Sequence, residues 1–252
     1  MAPPEEAAAA FVVLPDAGAV ARRAAEEFVA RADDAVARAG RFAVALSGGS
    51  TPRRTYSLLA DPAAPFRAAV DWARVHFFWG DERPVPPDDR QSNYRMARET
   101  LLSHVPVPAD NVHRIEGEKP AEEAARGYES VLREFFRPGP GDFPRLDLIF
   151  LGMGEDGHTA SLFPGTDALA ERTRWVAAPW VPKLSTRRIT LTFPVLNAAS
   201  AVFFLVCGAD KAPVARGIRQ GDPASRELPS ARVRPTHGEL VWLLDSAAAG
   251  KG

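Results

Sequence analysis

The stretch Asp147-Leu148-Ile149-Phe150-Leu151-Gly152-Met153-Gly154-Glu155-Asp156-Gly157-His158-Thr159-Ala160-Ser161-Leu162-Phe163-Pro164-Gly165 decides the fold. It opens as a continuous apolar run and then breaks into glycines. Such a run, bounded by turn residues, reads as a strand buried on both faces, as in a parallel sheet. Gly152, Gly154 and Gly157 let the backbone turn tightly and approach a ligand. Asp156, His158, Thr159 and Ser161 sit inside that turn. Ligands of open α/β sheets bind beyond the carboxyl ends of the strands. Polar chemistry on a glycine hinge after a buried strand therefore points to an active site.

The same strand-then-turn pattern recurs on both sides. Phe42 to Leu46 runs into Ser47-Gly48-Gly49-Ser50-Thr51-Pro52, Val75 to Trp79 runs into Gly80-Asp81-Glu82-Arg83, and Ala201 to Val206 runs into Gly208-Ala209-Asp210-Lys211. Phe11 to Leu14 is a further strand, and Leu240 to Leu244 is expected to close the sheet. Trp175 to Trp180 and Arg188 to Phe193 are strand-like. One helix starts after Asp16, a capping residue, and carries Val20, Ala24, Phe28 and Val29 inward up to Gly40. A second is capped by Ser50 or Thr51 with Pro52 in its first turn. Others run from about Ser92 to His104, ended by Pro106, and over 118–137. Strands alternating with helices give a parallel α/β layer fold. One domain over 11–252, after a loose tail at 1–10, is expected.

Hydrophobic residues make up 46% and charged residues 25% of the 252, the ordinary mix of a soluble globular chain. The formal net charge of −1 provides no global field for nucleic acid or membrane. A single cysteine, Cys207, excludes an intrachain disulfide and fits a reducing compartment. Cys207 reads most simply as a buried strand-end residue. The N-terminus lacks the basic start and apolar segment of a secretory signal, and no run approaches the ~18 apolar residues of a membrane span. A cytoplasmic protein is expected.

Each constellation has a chemical and a structural reading. The Ser47–Pro52 turn exposes backbone N–H groups and the positive end of a helix dipole, a geometry that binds phosphate. Its hydroxyls at Ser50 and Thr51 add donors. It is neither a Walker motif nor a dinucleotide fingerprint, and a plain capped turn is the structural alternative. Asp81, Glu82 and Arg83 can orient a polar substrate or form a solvated loop. His158 suits base work, because a free imidazole titrates near pH 6.5, and Asp156 can orient its ring. Arg187 and Arg188 at a strand start and Lys211 at a helix start can reach a phosphate or serve as surface cations. No metal-ligand spacing and no Gly-x-Ser-x-Gly elbow occurs. His76, His104, His113 and His237 have no evident partner and read as structural.

Together these segments resemble the 6-phosphogluconolactonase family. The resemblance is carried by Leu46–Pro52, Trp79–Arg83, Ser92-Asn93-Tyr94, Leu151–Pro164, Arg188–Asn197, Gly208–Lys211 and Val241–Asp245, in the family's order over nearly the whole chain. The resemblance implies a three-layer α/β/α fold with a mostly parallel, Rossmann-like sheet. It also implies a cofactor-free hydrolase that opens 6-phospho-D-glucono-1,5-lactone to 6-phosphogluconate, the second step of the oxidative pentose phosphate pathway. By the match, His158 is the base, tuned by Asp156. Ser47, Gly48, Gly49, Ser50, Thr51, Asp81, Arg83, Gly154, Gly157, Arg188 and Lys211 bind substrate. The adjacent Arg187 leaves the register at Arg188 open. The expected partner is this small sugar phosphate, with neither nucleic acid nor membrane, acting on a monomer or homodimer.

Two alternatives stand beside this reading, one of the same fold and one from another class. Sugar-phosphate deaminases or isomerases of the same fold share the Asp-Gly-His turn. They continue it with an Asn-Glu-Pro-like segment carrying a further acid, and tend to have tyrosine where Arg83 stands. Here Thr159 to Pro164 has no acid. A non-catalytic sugar-phosphate sensor is expected to carry a fused DNA-binding helix pair and a damaged turn. No such segment fits before Phe11, and His158 is intact.

Overall fold

Three strands are apolar and buried over their whole length, and they form the middle of one sheet. These are β2 (Phe42–Leu46), β5 (Leu148–Leu151) and β10 (Ala201–Val206). The computed structural model describes residues 9–251. Six strands pair in the order β1-β11-β10-β5-β2-β3, with β1 at Ala10–Leu14, β3 at Val75–Trp79 and β11 at Glu239–Asp245. Every pairing in this sheet is parallel. β1 starts at Ala10, inside the segment expected as a tail, and residues 1–8 lie outside the described residues. β11 does not close the sheet. It inserts between β1 and β10, which leaves β1 and β3 as the edges.

Alternation along β3 defines three layers. Successive side chains of a strand point to opposite faces. Phe77 stacks 6.3 Å from Phe28 of α1 (Ala17–Ala39), and its neighbour Phe78 meets Phe135 of α5 (Ala121–Phe136) at 5.0 Å on the other face. Phe28 also contacts Phe42 and Phe150, so one helical side chain covers three adjacent strands. Asp16 caps α1 as expected, accepting from the Ala19 amide at 2.9 Å, and Gly40 ends it in the left-handed region.

Other elements differ in detail from the reading of the sequence. α2 (Ser50–Ala60) is capped by Gly49 at φ 110°, with neither hydroxyl acting as cap. A positive φ at the turn is reached without strain only by glycine, and it puts Ser50 and Thr51 inside the first turn of the helix. α3 (Phe66–Ala69) is a single turn. α4 (Asn93–Thr100) is capped by Ser92 and passes into a short 3₁₀ turn, Leu102–His104, before Pro106. The segments at 175–180 and 188–193 are not strands of the main sheet. They supply two-residue β6 (Val176–Ala177) and three-residue β9 (Ile189–Leu191); β9 pairs antiparallel with β6 on one side and with β4 (Asp81–Glu82) on the other, in a small second sheet. Phe193 opens α6 (Phe193–Ala198), with Pro194 in its first turn. Between β6 and β9 projects a hairpin of β7 (Trp180–Val181) and β8 (Thr186–Arg187). α7 (Ala212–Gln220) and α8 (Pro223–Arg226) follow β10. No helix among the described residues is long and apolar enough to cross a membrane.

Candidate active site

The chain leaves β2 toward β3 on one side, returns to β5, and goes on to β10 and β11 on the other. Where strand order reverses, the carboxyl ends of neighbouring strands part and leave a crevice. A cavity of about 310 Å³ lies there, lined from the ends of β2, β3, β5 and β10. Ser47, Gly48, Gly49, Ser50, Thr51, Asp81, Arg83, Gly154, His158 and Lys211 all line it. Asp156, Gly157 and Arg188 do not.

His158 is fixed by its own turn. Asp156 Oδ1 lies 2.5 Å from Nδ1 of the imidazole and also accepts from the His158 backbone N–H at 3.2 Å. With a hydrogen on Nδ1, the ring keeps Nε2 for the cavity. Phe163 stacks on the ring at 4.1 Å between centroids. The Gly154 N–H donates to the His158 carbonyl at 2.9 Å, closing the turn. A Cβ on Gly154 would stand 2.1 Å from Nδ1, so this position is glycine because the imidazole occupies the space. Gly157, expected to bind substrate, instead makes the turn: its φ is +77°, its N–H donates to the Gly154 carbonyl, and its own carbonyl accepts from Ser230.

Asp156 is held on both oxygens. Lys183, from the tip of the β7–β8 hairpin, donates to Oδ2 at 2.9 Å. Burial alone would raise this carboxyl, but the hydrogen bonds from Lys183 and His158 hold it well below the usual carboxylate range. It therefore stays an anion at any pH where imidazole is useful as a base. Lys183 escaped the reading of the sequence. It lies 27 positions from Asp156, on a hairpin too short for a periodic signal.

A buried polar frame supports the opposite wall. Ser161 Oγ donates to Asp81 Oδ2 at 2.6 Å, and Asn93 Nδ2 donates to the Asp81 carbonyl and to Oδ1 at 2.9 and 3.1 Å. Glu82 accepts from the Asn93 and Tyr94 amides and from Ser92 Oγ, which anchors the start of α4. Burial pushes the Glu82 carboxyl up against the pull of those amides. Gly48 lies so close to Asn93 that an added Cβ would fall 2.0 Å from its Oδ1. Ser47 Oγ is buried in the cavity wall without a partner among the described residues.

The two arginines at the 187–188 register separate clearly. Thr190 pairs with Asp81 and Ile189 with Glu82. One further step of that antiparallel register sets Arg188 opposite Arg83, and opposite residues sit about 5 Å apart at Cβ. Arg83 is the like charge felt by Arg188, whose guanidinium burial lowers. Arg187 turns away to the Ala178 carbonyl and to Glu122. Lys211 pairs with Asp210 at 2.8 Å at the cavity edge. Cys207, expected as a buried strand-end residue, is half-buried and lines the cavity, its thiol pushed up by burial.

A six-stranded parallel sheet with an Asp–His pair beside a crevice lined by Arg83, Lys211 and a glycine turn defines a class. The chain belongs to the glucosamine-6-phosphate isomerases/6-phosphogluconolactonase family, whose model matches residues 15–242. Within that family it is similar to the 6-phosphogluconolactonase of Nostoc sp., 44% identical over 241 residues covering 95% of this chain and 96% of that one. Among solved structures, the devB protein superimposes with a TM-score of 0.86 at 38% identity, covering 97% of this chain and 99% of that one. The 6-phosphogluconolactonase of Leishmania guyanensis does so with a TM-score of 0.85 at 31% identity, covering 96% and 98%.

Proposed function

We propose that this chain hydrolyses 6-phospho-D-glucono-1,5-lactone to 6-phospho-D-gluconate, with His158 as general base. The observation that carries the reading is the Asp156–His158 pair facing a crevice whose other walls are the Ser47–Thr51 turn and the Arg83 side. A lactone is an ester. Its opening needs a water nucleophile, a base for the water's proton, and positive charge for the oxyanion. In this reading Nε2 of His158 takes a proton as the water oxygen bonds to C1, and the carbonyl becomes an oxyanion. Collapse breaks the bond from C1 to the ring oxygen, which takes the proton back from His158. The new carboxylic acid then ionises to solvent.

The first turn of α2, capped by glycine with no side chain on its amides, suits the phosphate, with Lys211 beside it. Ser47 Oγ is a spare donor there. In this reading Arg83, with Arg188 beside it, serves the reacting end, where both the oxyanion and the product carboxylate are negative. Phosphate binding far from C1 would fix orientation, so that binding energy serves the chemical step. The absence of an acid in Thr159–Pro164 argues against the deaminase chemistry of the same family, as it removes a proton relay. A single catalytic domain, a cytoplasmic setting, and action as a monomer or homodimer complete the reading; pairing of β1 with β11 within one sheet and the single cysteine support the first two.

The direct test is proton release from freshly made lactone against its spontaneous opening. His158→Ala is expected to lower kcat by about 10²–10⁴-fold while the fold is kept. Near-normal turnover in that variant would remove His158 from its role. A wild type no faster than the background would remove the activity itself.

A further inference from the structure

We infer that Lys183 is a positioning residue for the base: it fixes the plane and shares the charge of Asp156, and so couples the β7–β8 hairpin to His158. The inference rests on the proposed role of His158.

The geometry is specific. Asp156 spends Oδ1 on His158, through both the ring Nδ1 and the backbone N–H. A carboxylate held by one oxygen can still turn about its last torsion, because that torsion is broad. Asp156 is a quarter exposed, so water competes for the free oxygen. The ammonium of Lys183 at 2.9 Å on Oδ2 ends that freedom. It also opposes the pull of the carboxylate on a proton at His158, since a nearby anion favours the charged imidazole and a cation disfavours it. A base must be neutral to act, so this opposition keeps it available.

The hairpin owes its place to few contacts. Arg187 reaches the Ala178 carbonyl and Glu122, and the Arg188 N–H meets the Pro179 carbonyl, both at the hairpin's base. At the tip, the 3₁₀ turn Pro182–Leu184 carries Lys183 to the 155–158 turn and ends in Ser185 with φ +49°. Glu155 flanks the ammonium at 4.0 Å. The other charges near the pair are Asp81, Arg83 and Lys211 across the cavity and Arg188 beside Arg83. None of these bonds to Asp156 among the described residues.

Lys183→Met removes the charge and keeps the length of the side chain. It is expected to lower kcat about tenfold with KM within about twofold, because only the base is disturbed. The acid limb of kcat/KM moves to higher pH, since the cation that offsets Asp156 is gone. Lys183→Arg restores most of both. A second readout needs no turnover: an NMR titration of the imidazole signals, tractable with five histidines in the chain. The His158 midpoint is expected to rise in Lys183→Met and to return in Lys183→Arg. Unchanged kinetics and midpoint in Lys183→Met would reduce the contact to an exposed ion pair. A raised KM with normal kcat and an unmoved midpoint would make Lys183 a substrate ligand; either result overturns the inference. A wild type without lactonase turnover would sink the proposed function, and the titration would still decide the Lys183–Asp156–His158 coupling.

Discussion

His158 owes its orientation to the absence of a side chain at Gly154. The ring lies where a Cβ would be, 2.1 Å from Nδ1, and Phe163 stacks on its face. The φ of Gly154 is not in the left-handed region, so alanine fits the backbone there. Gly154→Ala therefore separates local geometry from folding. It is expected to turn the imidazole off Asp156 and cost about 10²–10⁴-fold in kcat, the worth of a misplaced general base. The thermal midpoint moves little, since no core residue is touched. Kinetics paired with a thermal melt checks this, and a variant that keeps its kcat would mean that the ring has another place to stand. The motif itself was legible in the sequence, because glycines flanking an acid and a histidine after an apolar run already suggest a hinge with chemistry. The close approach at Gly154 was not legible, as it depends on the ring's final direction.

At the scale of elements, the short antiparallel strands decide which of two adjacent arginines stands beside Arg83. β4 and β6 have two residues each, too short to give a period of two, so β4 went unread and β6 was legible only as part of the strand-like segment at 175–180. Their register does what no motif could: it sets Arg188 across from Arg83 and sends Arg187 out to Glu122. Like charges directly opposite on a sheet repel. Neither Arg83 nor Arg188 has a carboxylate partner within ion-pair distance among the described residues, which fits a place for an anion. Arg188→Ala is expected to raise KM about 10- to 100-fold, the loss of one charge-assisted hydrogen bond. Arg187→Ala should stay within about twofold of wild type. The two KM values measured side by side settle it: equal effects would mean that the register argument picks the wrong arginine.

Across the whole molecule, the central strands and the flanking helices followed from apolar runs and helical stripes, whereas the order of strands did not. Nothing in Glu239–Asp245 says that it will slip between β1 and β10, since that choice belongs to long-range pairing. The same limit left β3 unmarked as an edge and its His76 without a partner. In the structure His76 Nδ1 lies 3.3 Å from His113 Nε2, in an aromatic cluster with Phe78 and Phe135, while Arg41 sits 4.1 Å over Phe135. Burial, then the neighbouring charges of His113 and Arg41, lower the His76 imidazole to about 4 from its ordinary 6.5, and burial lowers His113 as well. As pH falls through 6.5 the unfolded chain takes up a proton that the folded chain refuses until about 4. The unfolded state then binds more protons, so stability declines on acidification across that window and the loss is complete below it. For a pair this open to solvent the loss is screened to on the order of 1 kcal/mol. His76→Phe keeps a ring in the cluster and removes the titrating group. Urea unfolding at pH 7.5 and 4.5 is expected to show wild type losing about 1 kcal/mol more than His76→Phe over that interval. Identical losses in the two proteins would assign the acid sensitivity of the fold to groups other than His76.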